Sequence, residues 1–418
     1  MIALEKLLAL LPPDLLDRLA LEHKVDANNQ TRLRGSTVLL CLLNGLLNHG
    51  DLTLRLLEET YQSLFQPQTG RTADHSSFGK RLASIKPTYF AAVFAFLHQQ
   101  LAPQATPGEA KALKIGEMRL RFVDATLVTL SAKLLSFGLS GGTSRGRADR
   151  RSVKSVLALE DGLPRLLRVC RDQGESSDCV ALGDTMLTHT RPGDLWVFDK
   201  GMHDRTRLLA LAEAGAFFVT PHKQQGLRVL KSLWQSGTPA PEAAPGAGEA
   251  AFVLTGAAQA IFENSRPDKR WRAMSLVLVY GLRFDARAHQ WEPLTLMTNL
   301  AASPEGAGPY TFAQIAELYR RRWDIETLFK FLKQHLGYGH LTSRSENGIE
   351  VMIHMSLIAA LLLIWYKRQA DIDRGWRSVK FWLAEDVRRW TEEALRQDLS
   401  QSLHGRQGPL PLTPPGQE

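Results

Sequence analysis

The chain has 418 residues, enough for two or three domains with a large core, and 44% of them are hydrophobic, which excludes an intrinsically disordered protein. Lys plus Arg outnumber Asp plus Glu by 51 to 43, and the resulting net charge of +8 favours a polyanionic partner without reaching a histone-like excess. The three cysteines, Cys41, Cys170 and Cys179, make no CxxC pair and no metal-ligand spacing; they read as reduced thiols and suit a cytoplasmic location.

Residues 1 to about 105 show helical periodicity. The opening Met1-Ile-Ala-Leu-Glu-Lys-Leu-Leu-Ala-Leu-Leu-Pro-Pro has no basic leader and no small-residue cleavage site, so a helix ending at Pro12 is expected. Leu15 to Leu21, Ser36 to Leu47, Thr53 to Glu59 and Tyr89 to Leu101 continue the pattern, giving an all-helical N-terminal module. Within it, Asp74-His-Ser-Ser-Phe-Gly-Lys80-Arg81 supplies a polar helix start followed by two cations, either a DNA-contacting helix or a solvated face.

From about residue 118 short runs rich in β-branched and aromatic residues take over, at Arg121 to Leu130, Ser152 to Leu159, Pro164 to Cys170, Leu195 to Asp199 and Ala216 to Thr220. Helical stretches at Asp178 to His189 and His203 to Gly215 come after the third and fourth. Three successive strands, then helix, strand, helix and strand, describe an α/β core with a mixed sheet. The Gly-rich stretch before the second strand carries Arg145, Arg147, Arg150 and Arg151. Flexible backbone with arginine suits phosphate tracking, and a solvated hairpin loop is the alternative. Neither GxxxxGK[ST] nor GxGxxG is present, so the glycines do not make a nucleotide-binding loop.

After Lys223 alternating segments recur at Leu227 to Leu233, Ala251 to Thr255 and Ser275 to Arg283, separated by a Pro-, Ala- and Gly-rich loop at 238–250; a β-rich insertion over 224–300 is expected. A strand at Leu294 to Leu300 then leads into the helical segment around Tyr319 to Lys333. The apolar run Met355 to Tyr366 is too short to span a bilayer and reads as a buried core helix. The tail beyond His404 contains Pro409, Pro411, Pro414 and Pro415 and is expected to be disordered.

Three carboxylates stand out. Asp124 lies inside the apolar Phe-Val-Asp-Ala-Thr strand, where an unpaired charge would cost several kcal/mol. Asp199 ends a similar run as the chain turns into Lys-Gly. Either could simply cap the next helix. Glu326 is placed among cations: on one continuous helix Tyr319, Arg322, Glu326, Lys330 and Lys333 fall within about 80° of each other. That stripe suits a metal-and-phosphate site, or else an Arg322, Glu326, Lys330 ladder of ion pairs on a solvated face. Two strand aspartates and a helix glutamate meet the needs of two-metal phosphoryl transfer, since Mg²⁺ takes hard oxygen ligands and neighbouring cations can hold flanking phosphates.

These residues resemble the DDE transposases of bacterial insertion sequences, in the branch called the IS-four group, whose signature is Tyr-(2)-Arg-(3)-Glu-(6)-Lys. Tyr319, Arg322, Glu326 and Lys333 reproduce that spacing, Asp124-Ala-Thr looks like the first-Asp motif and Asp199-Lys-Gly like the second. Thr298-Asn-Leu and Leu341-Thr-Ser-Arg-Ser are similar as well. The resemblance covers about 118 to 370 closely and the helical N-terminus loosely.

The resemblance implies an α/β fold with an RNase H-like mixed-sheet catalytic core in two parts, 118–223 and 301–370, interrupted by the β-rich insertion at 224–300. A helical DNA-binding domain would occupy 1–117, and a C-terminal helical segment with a disordered tail 371–418. It implies cut-and-paste transposition, with Asp124, Asp199 and Glu326 holding two Mg²⁺ or Mn²⁺ ions and Tyr319, Arg322 and Lys333 binding transposon-end DNA; Lys330 joins them on helical geometry. The implied partners are double-stranded DNA, as terminal inverted repeats and as target, and a second copy in a synaptic homodimer, all in the bacterial cytoplasm at the nucleoid. A catalytically inactive DNA-binding regulator or remnant, and a nuclease of the same fold, stay open. Met202 stands where members often carry an aromatic residue, which leaves stacking of a flipped base in question; Trp234, Trp271 and Trp291 are possible substitutes.

Overall fold

The structure, a computed structural model, describes every residue except 1–3, 27–32, 50–51, 103–117, 131–137, 141–150, 203, 223–226, 238–251, 263–273, 286–287, 304–308, 340–342, 370–374 and 405–418. The chain forms two compact units, one of residues 1–103 with 331–418 and one of residues 104–330.

The first unit is helical. Its N-terminal part holds α1 (Leu4–Leu10), α2 (Pro13–Glu22), α3 (Gly35–Asn48), α4 (Leu54–Leu64), α5 (Gln66–Thr69), α6 (His75–Ser84) and α7 (Pro87–Leu101). Local chemistry sets several starts: Pro13 occupies the first turn of α2, the Thr53 hydroxyl caps α4 and the Asp74 carboxylate accepts the Ser77 N–H at 2.7 Å to cap α6. Arg81 on α6 is neither a solvated residue nor a free contact. Its guanidinium donates to the Leu33 and Val25 carbonyls and to Asp26 Oδ1, at 2.9, 3.1 and 2.9 Å. Those bonds tie α6 to Val25, Asp26 and Leu33.

In the second unit β1 (Arg119–Thr129), β2 (Leu139–Ser140), β3 (Arg151–Glu160) and β4 (Leu163–Cys170) come first, followed by α8 (Asp178–His189), β5 (Asp194–Val197), α9 (Arg205–Glu213) and β6 (Phe217–Pro221). The chain continues through β7 (Leu227–Gln235), β8 (Phe252–Phe262), β9 (Ser275–Asp285) and β10 (Gln290–Thr298), then the short β11 (Ala302–Ser303) and β12 (Tyr310–Thr311), into α10 (Phe312–Arg320) and α11 (Trp323–His335). The unit boundary falls within α11. The helical unit is completed by α12 (Glu346–Gln369) and α13 (Trp376–His404). By length and composition α12 could cross a membrane, yet 83% of its most apolar stretch is buried inside the protein. It packs on α3, α7 and α13 as a core helix.

One large mixed sheet organises the second unit. Its strands run in the order β4, β3, β1, β5, β6, β10, β9, β8, β7, with β2 also on β3. β1, β3 and β4 are antiparallel; β5 lies parallel to β1 and β6 parallel to β5. β10 then joins β6 antiparallel, so the strands between 227 and 298 extend the same sheet. One face of the central strands presents Val123, Trp196, Phe198 and Phe218, buried with Ala181, Leu182 and Met186 of α8 and Leu208 and Leu211 of α9. α10 packs against β6, β8 and β9.

Candidate active site

Sheet register brings the two aspartates together. β1 and β5 pair from Arg119↔Asp194 to Phe122↔Val197, and each segment carries its aspartate two residues beyond that last pair. Neighbouring strands lie about 4.8 Å apart, and paired residues point to the same face. Because Val123 and Phe198 point into the core beneath α8 and α9, Asp124 and Asp199 point away from it.

The opposing helices supply the remaining groups. A reciprocal capping box starts α10: Gln314 N–H donates to Thr311 Oγ1 at 3.1 Å and Thr311 N–H to Gln314 Oε1 at 2.8 Å. In its last turn Tyr319, only 7% exposed, donates its hydroxyl to Asp199 Oδ1 at 3.3 Å. Arg322 is 5% exposed. Its Nη2 donates to Glu326 Oε1 at 2.6 Å, its Nη1 lies 3.9 Å from Asp124 Oδ2, and the guanidinium carbon sits 5.4 Å from the centre of the Tyr319 ring.

The single helix expected from Tyr319 to Lys333 is two helices. α10 ends at Arg320, and the Arg322, Asp324 and Ile325 N–H groups each bond the carbonyl three residues back, at 3.0, 3.0 and 3.2 Å. These shorter-range bonds tighten the chain at Arg321 and Arg322. The stripe therefore does not run straight, although Tyr319, Arg322 and Glu326 still meet. Lys330 and Lys333 lie on α11 with exposed side chains. Of the alternative ion-pair ladder only the Arg322–Glu326 rung is present among the described residues, and Arg322 shares itself with Asp124.

Burial pushes the Asp124 carboxyl up to about 6; the Ala125 N–H, at 2.8 Å, and Arg322 act against that rise, and Glu326 and Asp199 add to it. Burial likewise raises the Tyr319 hydroxyl to about 12. For Arg322 burial acts downward, but Tyr319, Glu326 and Asp199 outweigh it and the guanidinium is held above its ordinary value. Glu326 and Asp199 thus act both on Asp124 and on the one Arg322 guanidinium. Among the described residues no group of three His, Cys, Asp or Glu side chains is placed to hold a metal ion directly. Carboxylate oxygens, without sulfur or imidazole nitrogen among them, are nonetheless the donor chemistry that Mg²⁺ or Mn²⁺ takes.

The other expected positions separate. Arg151 starts β3 half-buried and donates to the Gly138 carbonyl at 3.1 Å. Arg145, Arg147 and Arg150 lie outside the described residues, as do Trp271, the loop at 238–250 and the tail beyond His404. Met202 is fully buried in the core, Trp234 packs against Phe312, and Trp291 meets Phe284 edge-on. Asn299 has a clear structural role: its Oδ1 accepts the Phe218 N–H and its Nδ2 donates to the Ala216 carbonyl, both at 2.9 Å, tying β6 to the end of β10. Trp323, the residue after Arg322, is a large apolar side chain left 54% exposed, which periodicity alone does not single out.

Residues 115–362 match the family described as Transposase DDE domain. "Putative transposase y4zB" of Sinorhizobium fredii is 27% identical over 275 residues, 66% of each chain. "Putative transposase for insertion sequence element IS4SA" of Synechocystis sp. is 24% identical over 295 residues, 70% of this chain and 72% of that one. The chain therefore spans about two thirds of the length of the curated relatives it matches. Among solved structures it is similar to the piggyBac transposase in a synaptic complex with hairpin DNA, at 11% identity and a TM-score of 0.45, over 97% of this chain and 87% of that one.

Proposed function

The chain belongs to the transposase DDE domain family, and from that membership we propose that it is a cut-and-paste transposase of the IS-four branch whose reaction runs at Asp124, Asp199 and Glu326. The observation that carries this reading is the convergence of the three carboxylates, from β1, the end of β5 and α11, around Arg322 and Tyr319. An RNase H-like core is supported by three antiparallel strands followed by two parallel ones, with α8 and α9 in the connections. The helical DNA-binding domain at 1–117, the insertion at 224–300, the second core segment at 301–370 and the C-terminal segment at 371–418 belong to the same proposal.

Asp124, Asp199 and Glu326 would hold two divalent ions, Mg²⁺ or Mn²⁺. When bound, such ions activate the attacking oxygen and stabilise the leaving one in an in-line displacement. Tyr319 orients Asp199 through its hydroxyl, and Arg322 balances negative charge between Asp124 and Glu326. Lys330 and Lys333, exposed on α11, hold phosphates of the transposon end, with Arg145, Arg147, Arg150 and Arg151 as a second basic segment. In the first step water attacks a phosphodiester at the element end; the P–O3′ bond breaks and leaves a 3′-OH and a 5′-phosphate. In the second that 3′-OH attacks a target phosphodiester, joining the element and releasing a target 3′-OH. Double-stranded DNA is the partner in both steps, a homodimer would bridge two ends, and the cytoplasm with its nucleoid is the location.

Asp124→Ala, Asp199→Ala and Glu326→Ala should each abolish cleavage of a terminal repeat while the protein still shifts that DNA in a gel. Cleavage retained by all three overturns the assignment. A joining assay with precut ends separates transposase from nuclease, since the nuclease gives no joined product.

A further inference from the structure

We infer that Lys154 and Asp178 are positioning residues for Asp199, acting through Gly201 at the point where the turn after β5 touches α8; the inference rests on Asp199 being a metal ligand. The last ladder bond on this part of the chain is Phe198 N–H to the Val219 carbonyl at 3.2 Å, so the sheet itself does not fix Asp199. Immediately after Asp199 the chain makes a single turn, Lys200 to Met202, in which Met202 N–H reaches the Asp199 carbonyl at a long 3.4 Å. Two anchors hold that turn. One is the fully buried Met202 side chain, and the other is Gly201 against the first residue of α8.

The second anchor is built for close approach. A Cβ on Gly201 would lie 3.2 Å from both Cβ and Oδ2 of Asp178, tighter than side chains ordinarily pack. Gly201 is not among the glycines with positive φ, so room and not backbone freedom is what the position requires. Asp178 is in turn held by Lys154, whose ammonium donates to Asp178 Oδ1 at 2.7 Å and also to the Ser176 carbonyl. The Lys154 side chain is only 5% exposed, which makes it a fixed strut and not a surface arm. It stands on β3 opposite Leu127 of β1, the strand that carries Asp124. The struts therefore run from one aspartate's strand pair, through the start of α8, to the turn bearing the other.

Mn²⁺ titration of the full-length protein, following the electron paramagnetic resonance of the free ion, tests this alongside thermal melts and terminal-repeat binding. Gly201→Ala should weaken Mn²⁺ binding by about tenfold, the lower end for groups that orient metal ligands, with folding and DNA binding kept. Asp178→Ala and Lys154→Met should each weaken it by less, and Lys154→Arg should recover most of the loss. The double variant Gly201→Ala with Asp178→Ala should lose less than the sum of the two single losses, because the Oδ2 that the added methyl meets is gone while the residue 178 Cβ remains. Wild-type Mn²⁺ affinity in Gly201→Ala, or strictly additive losses in the double variant, overturns the inference. Asp199→Asn is the control for its premise: if that substitution leaves Mn²⁺ binding unchanged, the metal-ligand reading fails and this inference with it. If Asp199→Asn weakens binding and Gly201→Ala does not, only the positioning role is lost.

Discussion

Arg322 holds together groups that would otherwise repel. With Glu326 at 2.6 Å and Asp124 at 3.9 Å, a single guanidinium faces both carboxylates. Removing one partner of a buried pair strands the others, at about 3–5 kcal/mol in fully buried cases. Here Glu326 is 32% and Asp124 24% exposed, so solvent recovers part of that cost. Arg322→Ala should therefore lower stability by about 2 kcal/mol in urea melts at neutral pH. Arg322→Lys should regain less than half of it, because a single ammonium cannot face two carboxylates as a guanidinium fork does. A second residue gives a pH signature. His354, partly buried on α12 and roughly perpendicular to the Phe94 ring, has its pKa lowered by burial to about 4. The unfolded chain takes up a proton below about 6.5, whereas the folded one stays neutral until about 4. Stability is thus lost as pH falls through that window. His354→Leu should remove about 2 kcal/mol of the acid sensitivity between pH 6.5 and pH 5, read as the change in urea midpoint relative to the parent protein.

At the scale of elements, α10, α11 and the turn between them matter because they carry Tyr319, Glu326 and Arg322 respectively to the aspartates. Thr311 and Gln314 close the start of α10 reciprocally, and losing the hydroxyl leaves a helix N–H without its cap. Thr311→Ala should cost about 1 kcal/mol in chemical denaturation, and Thr311→Ser should restore most of it. The helical stretch from Tyr319 to Lys333 was legible in the sequence, whereas the capped start at Thr311 and Gln314 emerges from the fold. The break between them was not, since Arg320, Arg321 and Arg322 include neither glycine nor proline and the interruption arises from shortened backbone bonds. The same limit applied to Arg81. Its spacing marks a cationic helix position, but only the fold reveals that Leu33, Val25 and Asp26 consume its donors.

For the whole molecule, five of the six strands from 119 to 221 were legible because each is a short β-branched or aromatic run bounded by turn residues, while the two-residue β2 (Leu139–Ser140) was not. What periodicity cannot supply is pairing between distant strands. The β1–β5 pairing that brings the segments bearing Asp124 and Asp199 side by side, and the β6–β10 pairing that carries the later strands into one sheet, depend on contacts remote in sequence. Net charge is global too, and at +8 it gives only a general attraction to DNA; where phosphates are neutralised is decided by the few cations that reach them. Lys330 and Lys333 are exposed on the helix that carries Glu326, so they should count among those few. Each phosphate contact contributes about 0.9 to the slope of log affinity against log salt. Lys330→Ala with Lys333→Ala should therefore flatten that slope by about 2, with similar weakening on a terminal repeat and on an unrelated duplex, because phosphate contacts carry no sequence information. An unchanged slope in fluorescence-anisotropy titrations across a salt series would remove both lysines from the DNA interface while leaving the carboxylate site untouched.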